Sequence, residues 1–278
     1  MSALTFKLKA QPQQRVDLSP LTPDTLAGLS NDAIAAIELQ SGNRKITVGD
    51  LFDISSGSAS STDDETVSVI IENGCSKLDY IGNGMTRGSI VVRGDCGAYV
   101  AFNMRGGALT IEGNVGAYAG CGMKSGVLRI AGNAGDFLGA ALPGFRHGMA
   151  GGTIIVSGSA GERIGDHMRR GAILIEGNAG DYCGSRMLAG TIAVLGEVGE
   201  HCGFGMKRGT LLLSSKPQKL SALFSDCGTH NLNFLPLLIK SWRALPGRFA
   251  EVQPRKRVRR YAGDNANGGK GEILVWAD

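Results

Sequence analysis

Seven glycines (Gly88, Gly107, Gly126, Gly152, Gly171, Gly190 and Gly209) each precede a short apolar run, at spacings of 19, 19, 26, 19, 19 and 19 residues. A nineteen-residue unit therefore recurs with one seven-residue insertion. Two and four residues after each glycine stand aliphatic pairs: Ile90/Val92, Leu109/Ile111, Leu128/Ile130, Ile154/Val156, Ile173/Ile175, Ile192/Val194 and Leu211/Leu213. This alternation has the period of a strand with one buried face. Every methionine except Met1 lies three residues before the recurring glycine, from Met85 to Met206.

One short strand per unit cannot bury its apolar face alone, and stacking the units solves this. The expected fold is all-β: a right-handed parallel β-helix, a solenoid of about 19-residue coils with small capping segments at both ends. Coils in such a stack lie about 4.8 Å apart, so each column of the repeat becomes a ladder. The methionine ladder suits an irregular gap at a bend. The glycine columns are expected to supply positive φ at corners. Asp95, Asn114, Asn133, Asn178 and Glu197 follow a corner glycine, where side chains can bond the turn backbone. The period is wrong for a hexapeptide solenoid, and the pattern of a leucine-rich repeat is absent.

The flanks read differently. Residues 1–66 form a strand and helix segment, from "LTFKLK" to a polar linker at 55–64. The solenoid is expected over 67–214, with an irregular first coil at 71–84, and a C-terminal cap and tail over 215–278. Within the last segment, "PLLIKSWRAL" is expected to cover the final apolar layer, and "GDNANGGKGEILVWAD" is a glycine-rich loop followed by a strand.

The 43 glycines are about twice the average share, without a Gly-X-Y period, which excludes collagen. The formal charge is +4, and five positive charges crowd into Arg255, Lys256, Arg257, Arg259 and Arg260. Outside that run the chain shows no general affinity for nucleic acid or membrane. The N-terminus lacks an apolar leader and no segment has eighteen consecutive apolar residues, so a cytoplasmic protein is expected. The six cysteines are scattered, with no C-x-x-C pair.

Chemistry is sparse. The four histidines fall in unrelated columns. Cys183 and Cys202 share a column with Ala119, Leu138 and Ile164, which favours core packing over a metal site. An acidic row, Asp136, Glu162, Asp181 and Glu200, could serve a glycan enzyme, but stands one residue past a corner glycine, where exposed turn residues belong. Arg163, Arg186 and Arg146 are candidates to reach it. A basic stripe just before the recurring glycine (Arg87, Arg105, Lys124, Arg169, Arg170, Lys207 and Arg208) could grip an extended polyanion. The insertion, 141–152, presents Phe145, Arg146 and His147, a mixture common at interface anchors. No catalytic or metal-ligating residue is assigned. "GDNANGGKG" lacks the spacing and following helix of a phosphate loop.

The pattern G-x-L-x-I-x-G-N-x-G-x-Y/F-x-G-x-x-M resembles the glycine-rich β-helix of two groups: the C-terminal domain of the glutamate synthase large chain, and the C subunits of the formylmethanofuran dehydrogenase family. The N-terminal "LTFKLK…DLSPLTPDTLAGLS…ITVGDLFDI" and the C-terminal "YAGDNANGGKGEILV" resemble the second group, and "ALTFKLKAQPQQRVDLSP" resembles its bacterial formyltransferase/hydrolase version. The resemblance implies a scaffold in a hetero-oligomer with sibling A, B and D subunits, which carry an amidohydrolase-like metal site (A), the formyl-transfer site (D) and, in archaea, a redox site (B). Such complexes pass formyl groups between a methanofuran-type carrier and tetrahydromethanopterin in one-carbon metabolism. The resemblance brings no catalytic residue onto this chain. A second expectation is a binding module in which the basic stripe holds the anionic tail of the carrier.

Overall fold

The computed structural model describes residues 2–58 and 67–277, so the linker expected at 55–64 lies partly outside the described residues. The first segment comprises β1 (Ser2–Leu8), β2 (Val16–Asp17), α1 (Pro23–Leu26), α2 (Asn31–Ala35), β3 (Glu38–Ser41), β4 (Arg44–Thr47), α3 (Val48–Leu51) and β5 (Phe52–Ser58). β6 (Ser68–Gly74) and β7 (Leu78–Asp79) lead into one strand per repeat. These are β8 (Ser89–Gly94), β9 (Ala108–Ile111), β10 (Val127–Ile130), β11 (Ala150–Val156), β12 (Arg170–Ile175), β13 (Thr191–Val194) and β14 (Arg208–Leu213). β15 (Ser225–Asn231), α4 (Phe234–Trp242), β16 (Arg257–Gly263) and β17 (Lys270–Trp276) follow.

The architecture is mostly strand, dominated by one 13-stranded sheet ordered β15-β16-β17-β14-β13-β12-β11-β10-β9-β8-β6-β1-β5. The seven repeat strands pair in parallel, with Ile90 beside Leu109, then Leu128, Ile154, Ile173, Ile192 and Leu211. The seven-residue insertion leaves this register intact. A second column of parallel bridges joins Val115, Ala134, Ala160, Ala179 and Val198. The aliphatic pairs and all seven ladder methionines are buried. Each such side chain contributes about 1.5–3 kcal/mol on leaving water, which makes this interior the main source of stability.

The glycines do two different jobs. Gly107 and Gly126 have φ of 78° and 89°, as expected for corners. Gly113 and Gly132 do not have positive φ; instead, a Cβ on Gly132 would lie 2.6 Å from the Gly113 carbonyl oxygen one coil away. Close approach of stacked backbones, rather than torsion, excludes a side chain there. The asparagine column also differs from expectation. Asp95 Oδ1 accepts from the Asn114 backbone N–H at 2.7 Å, Asn114 Oδ1 from Asn133 N–H at 2.8 Å, and Asn133 Oδ1 from Ser159 N–H at 2.8 Å. These side chains bond the next coil, because stacking brings its orphan amide nearer than their own turn.

Strands close both ends. β1 pairs with β6 in parallel and with β5 antiparallel, while β17 continues the parallel ladder beyond β14, with Leu211 beside Ile273. The expectation that "PLLIKSWRAL" covers the last layer is corrected: α4 lies on the outer flank of the sheet. Its Leu235, Ile239 and Trp242 form one buried cluster with Ile155, Leu174, Ala193, Leu212 and Leu274. Those sheet residues point away from the main core. In earlier coils the same column holds Val91, Thr110 and Arg129, so its apolar turn at Ile155 marks where cover begins. Glu176 Oε1 accepts the Arg248 backbone N–H at 2.6 Å, fastening the segment after α4 to the repeat strands.

Candidate interaction surface

Most titratable groups along the repeats are used internally. Cys75, Cys96, Cys121, Cys183 and Cys202 are buried, and burial pushes the Cys121 thiol up to about 11 and the Cys183 thiol up to about 12. The Cys121 and Cys183 thiols therefore stay protonated at neutral pH and are poor nucleophiles. Among the described residues, no group of three or more His, Cys, Asp or Glu side chains is arranged to hold a metal ion. In the acidic row, Asp136 Oδ1 accepts the Glu162 backbone N–H at 2.8 Å, and Asp181 Oδ1 accepts that of Glu200 at 2.7 Å. Glu200 pairs with Lys219. Arg163 lies over the Tyr182 ring, 4.5 Å from its centroid, and Arg186 binds Asp166, so neither is engaged with the row as the sequence suggested.

The basic stripe is set by the register of the coils. The amides of Arg105, Lys124, Arg169 and Lys207 donate to the carbonyls of Met85, Met104, Met149 and Met187 respectively, each reaching to the neighbouring coil. The column is broken where Ala150 and Leu188 occupy the same position. Arg170 and Arg208 start β12 and β14 beside it. All these side chains are exposed, and Arg87 alone of the stripe makes an ion pair, 3.6 Å from Asp24, among the described residues. The insertion projects Phe145, Arg146 and His147 into solvent, Phe145 being 65% exposed. Its ends are held by the Ala141 amide on the Asp166 carbonyl and the Gly148 amide on the His167 carbonyl, both at 3.0 Å.

Two features escaped the sequence reading. The first is a ladder of planar side chains one residue past the acidic row. Tyr80 and Tyr99 stack at 4.7 Å, Tyr99 and Tyr118 at 5.4 Å, Tyr118 and Phe137 at 4.7 Å, and Tyr182 and His201 at 4.7 Å. All of them have positive φ, a conformation worth about 1–3 kcal/mol of strain in a non-glycine residue, which stacking helps to offset. The recurring Y/F of the repeat was the signal for it.

The second is a polar knot beside the insertion. Asp166 is 4% exposed and accepts from Ser185 Oγ at 2.7 Å, Arg186 Nε at 2.9 Å, Arg186 Nη2 at 2.6 Å and His167 Nδ1 at 3.1 Å. Burial raises its pKa, but the Arg186 and Ser185 hydrogen bonds and the Arg186 charge outweigh this and hold it below the ordinary carboxylate value. Next to the knot a cleft of about 450 Å³ opens between the last coils and the C-terminal turn. Lys207 of the stripe lines it, together with His167, Leu188, Phe204 and Leu223.

With this geometry in place, the likeness to known proteins becomes specific. A profile of the GXGXG motif matches residues 64–227, more than half of the chain. A chain of the crystal structure of the formyltransferase/hydrolase complex (FhcABCD) from Methylorubrum extorquens in complex with methylofuran superposes with a TM-score of 0.89 at 40% identity. That match covers 99% of this chain and 100% of the other. This chain belongs to the GXGXG family, among its formylmethanofuran dehydrogenase-type C subunits. It is 41% identical over 93 residues to the C subunit of the Fhc complex of the same organism, covering 34% of this chain and 32% of that protein. It is 34% identical over 100 residues to the C subunit of the tungsten-containing formylmethanofuran dehydrogenase 2 of Methanothermobacter wolfeii, 36% of each. The matched segments thus span about a third of the length of these curated relatives. Among the described residues, no helix of this GXGXG protein is long and apolar enough to cross a membrane.

Proposed function

We propose that this chain is the non-catalytic scaffold, the C subunit, of a formyltransferase/hydrolase complex, with residues 67–214 forming a right-handed parallel β-helix and 1–66 and 215–278 closing it. The observation that carries the reading is the full-length likeness to a chain of FhcABCD at 40% identity. The internal use of the acidic row and the buried cysteines supports the absence of a reaction centre here. Catalysis then belongs to siblings A, B and D, and the scaffold positions their sites. The test compares the isolated chain with the complex purified from its source. The siblings should co-purify in fixed ratio, and the chain alone should lack formyl-methanofuran hydrolysis; turnover by the isolated chain at the rate of the complex overturns the reading.

A second reading has one observation in its favour. Arg105, Lys124, Arg169, Arg170, Lys207 and Arg208 are exposed without an ion pair among the described residues, on a face with a coil-by-coil repeat. We propose that this stripe holds the anionic tail of the methanofuran-type carrier. The double variant Arg105→Glu/Lys124→Glu should release the carrier at lower salt than the parent complex. Carrier retention unchanged across ionic strength overturns this reading.

A further inference from the structure

The cleft beside the Asp166 knot has an apolar wall that neither reading uses, next to a lysine of the basic stripe. Its wall is apolar, formed by Leu188, Phe204 and Leu223, and two of these are large apolar side chains left in water: Phe204 is 51% and Leu223 38% exposed. Lys207 stands at the rim with no carboxylate partner among the described residues. The acidic group at the cleft, Asp264, is buried and internally satisfied: its Oδ2 accepts the Gly205 amide at 2.9 Å and its Oδ1 the Ala266 amide at 2.8 Å. Both bonds are internal to the protein, and Asp264 makes no ion pair with Lys207 among the described residues.

The shape of this wall is also fixed in advance. Phe204 lies edge-on to Tyr182, at 5.9 Å and 87°, and the Asp166 carboxylate holds both His167 and Arg186 beside the opening. A pre-formed apolar wall costs little to occupy, because few side chains need to be ordered on binding. The end of the insertion is tied to this wall, since the Gly148 amide donates to the carbonyl of His167, which lines the cleft.

We infer that this cleft is the docking site for a peptide segment of a sibling subunit, one that inserts a large apolar side chain between Leu188, Phe204 and Leu223 and sets an Asp or Glu against Lys207. The apolar wall demands the first element and the unpaired cation the second. A polyanion such as the carrier tail satisfies Lys207 but leaves the exposed aromatic and leucine in water. This inference rests on the scaffold reading, and names where one partner sits.

The test places the photoreactive p-benzoylphenylalanine at position 204, and separately at 223, in the full chain produced together with its sibling subunits. Irradiation before purification should link each position to one sibling, at a peptide carrying a large apolar residue within two positions of an Asp or Glu. Adding Lys207→Glu should lower the yield of that conjugate about tenfold at low salt, and less at high salt. Stoichiometric siblings with no conjugate overturn the cleft assignment and leave the scaffold reading standing. A conjugate to a second copy of this chain, or to a segment without a carboxylate, overturns it as well. Purification without siblings sinks the scaffold reading together with the inference.

Discussion

Arg186 reaches across one coil to Asp166, placing Nε 2.9 Å from Oδ1 and Nη2 2.6 Å from Oδ2, while Ser185 Oγ donates to the same Oδ1. A carboxylate in the wall of the stack is thereby neutralised by the side chain one repeat later. The seven-residue insertion leaves the stack right beside this pair, its ends bonded to the Asp166 and His167 carbonyls.

Removing the partner strands the buried charge. Arg186→Ala is expected to cost about 1–3 kcal/mol, held down by the exposure of the guanidinium. The Asp166 pKa in the folded state lies below its ordinary 3.8, so the unfolded chain binds the extra proton as pH falls. The stability from this group is therefore full above about pH 5 and is lost as pH drops through the folded value. Urea unfolding between pH 7 and pH 3 should show a smaller acid loss for Asp166→Asn than for the parent. Equal slopes would remove Asp166 as a source of the acid response.

Gly132→Ala should destabilise by about 1–3 kcal/mol through overpacking, since the new Cβ meets the Gly113 carbonyl of the adjacent coil. Gly57→Ala is the control: nothing lies within 4 Å of a Cβ there, and the change should stay within about 0.5 kcal/mol. Thermal melts of the two variants read the difference, and equal midpoints would contradict the stacking argument.

Tyr118 is sandwiched between Tyr99 and Phe137. Tyr118→Ala is expected to lose about 1–3 kcal/mol, whereas Tyr118→Phe keeps both stacks and should stay close to the parent. Denaturant titration of both variants measures this, and a large loss from the phenylalanine change would assign the effect to the hydroxyl instead.

Trp242 is 3% exposed and packs edge-on to Phe249 at 5.2 Å. Trp242→Ala should cost about 3–5 kcal/mol of local stability. Hydrogen exchange should quicken in α4 and leave β8 and β9 protected, because Ile90, Val92, Leu109 and Ile111 of these strands belong to the other core cluster. Uniform acceleration over all strands would show that α4 is required for the stack as a whole.

The period of the repeat made the buried columns legible: Ile90 and Leu109 sit where the alternation places them, and Met104 is buried in the methionine column. The basic stripe was also readable as a column, because register turns equal offsets into neighbours. The Asp166 knot was not, since Asp166, Ser185 and Arg186 occupy positions that carry other residue types in the remaining coils. The acidic row was visible as charge, but charge alone did not show that Asp136 and Asp181 spend their oxygens on the next coil's amides.

Nineteen-residue periodicity, aliphatic alternation and a methionine column determine that the units stack and which side chains face inward, because a strand with one apolar face has no other way to leave water. The full chain likewise carries the family likeness. Only the tertiary structure decided what covers the outside. Whether α4 closes the end or lies along the flank depends on the free apolar column at Ile155, Leu174 and Leu212, and on β17 already occupying the end. Those contacts join segments from 23 residues apart (Leu212 and Leu235) to 80 apart (Ile155 and Leu235), and local pattern carries no information about which of two apolar surfaces a distant segment will meet.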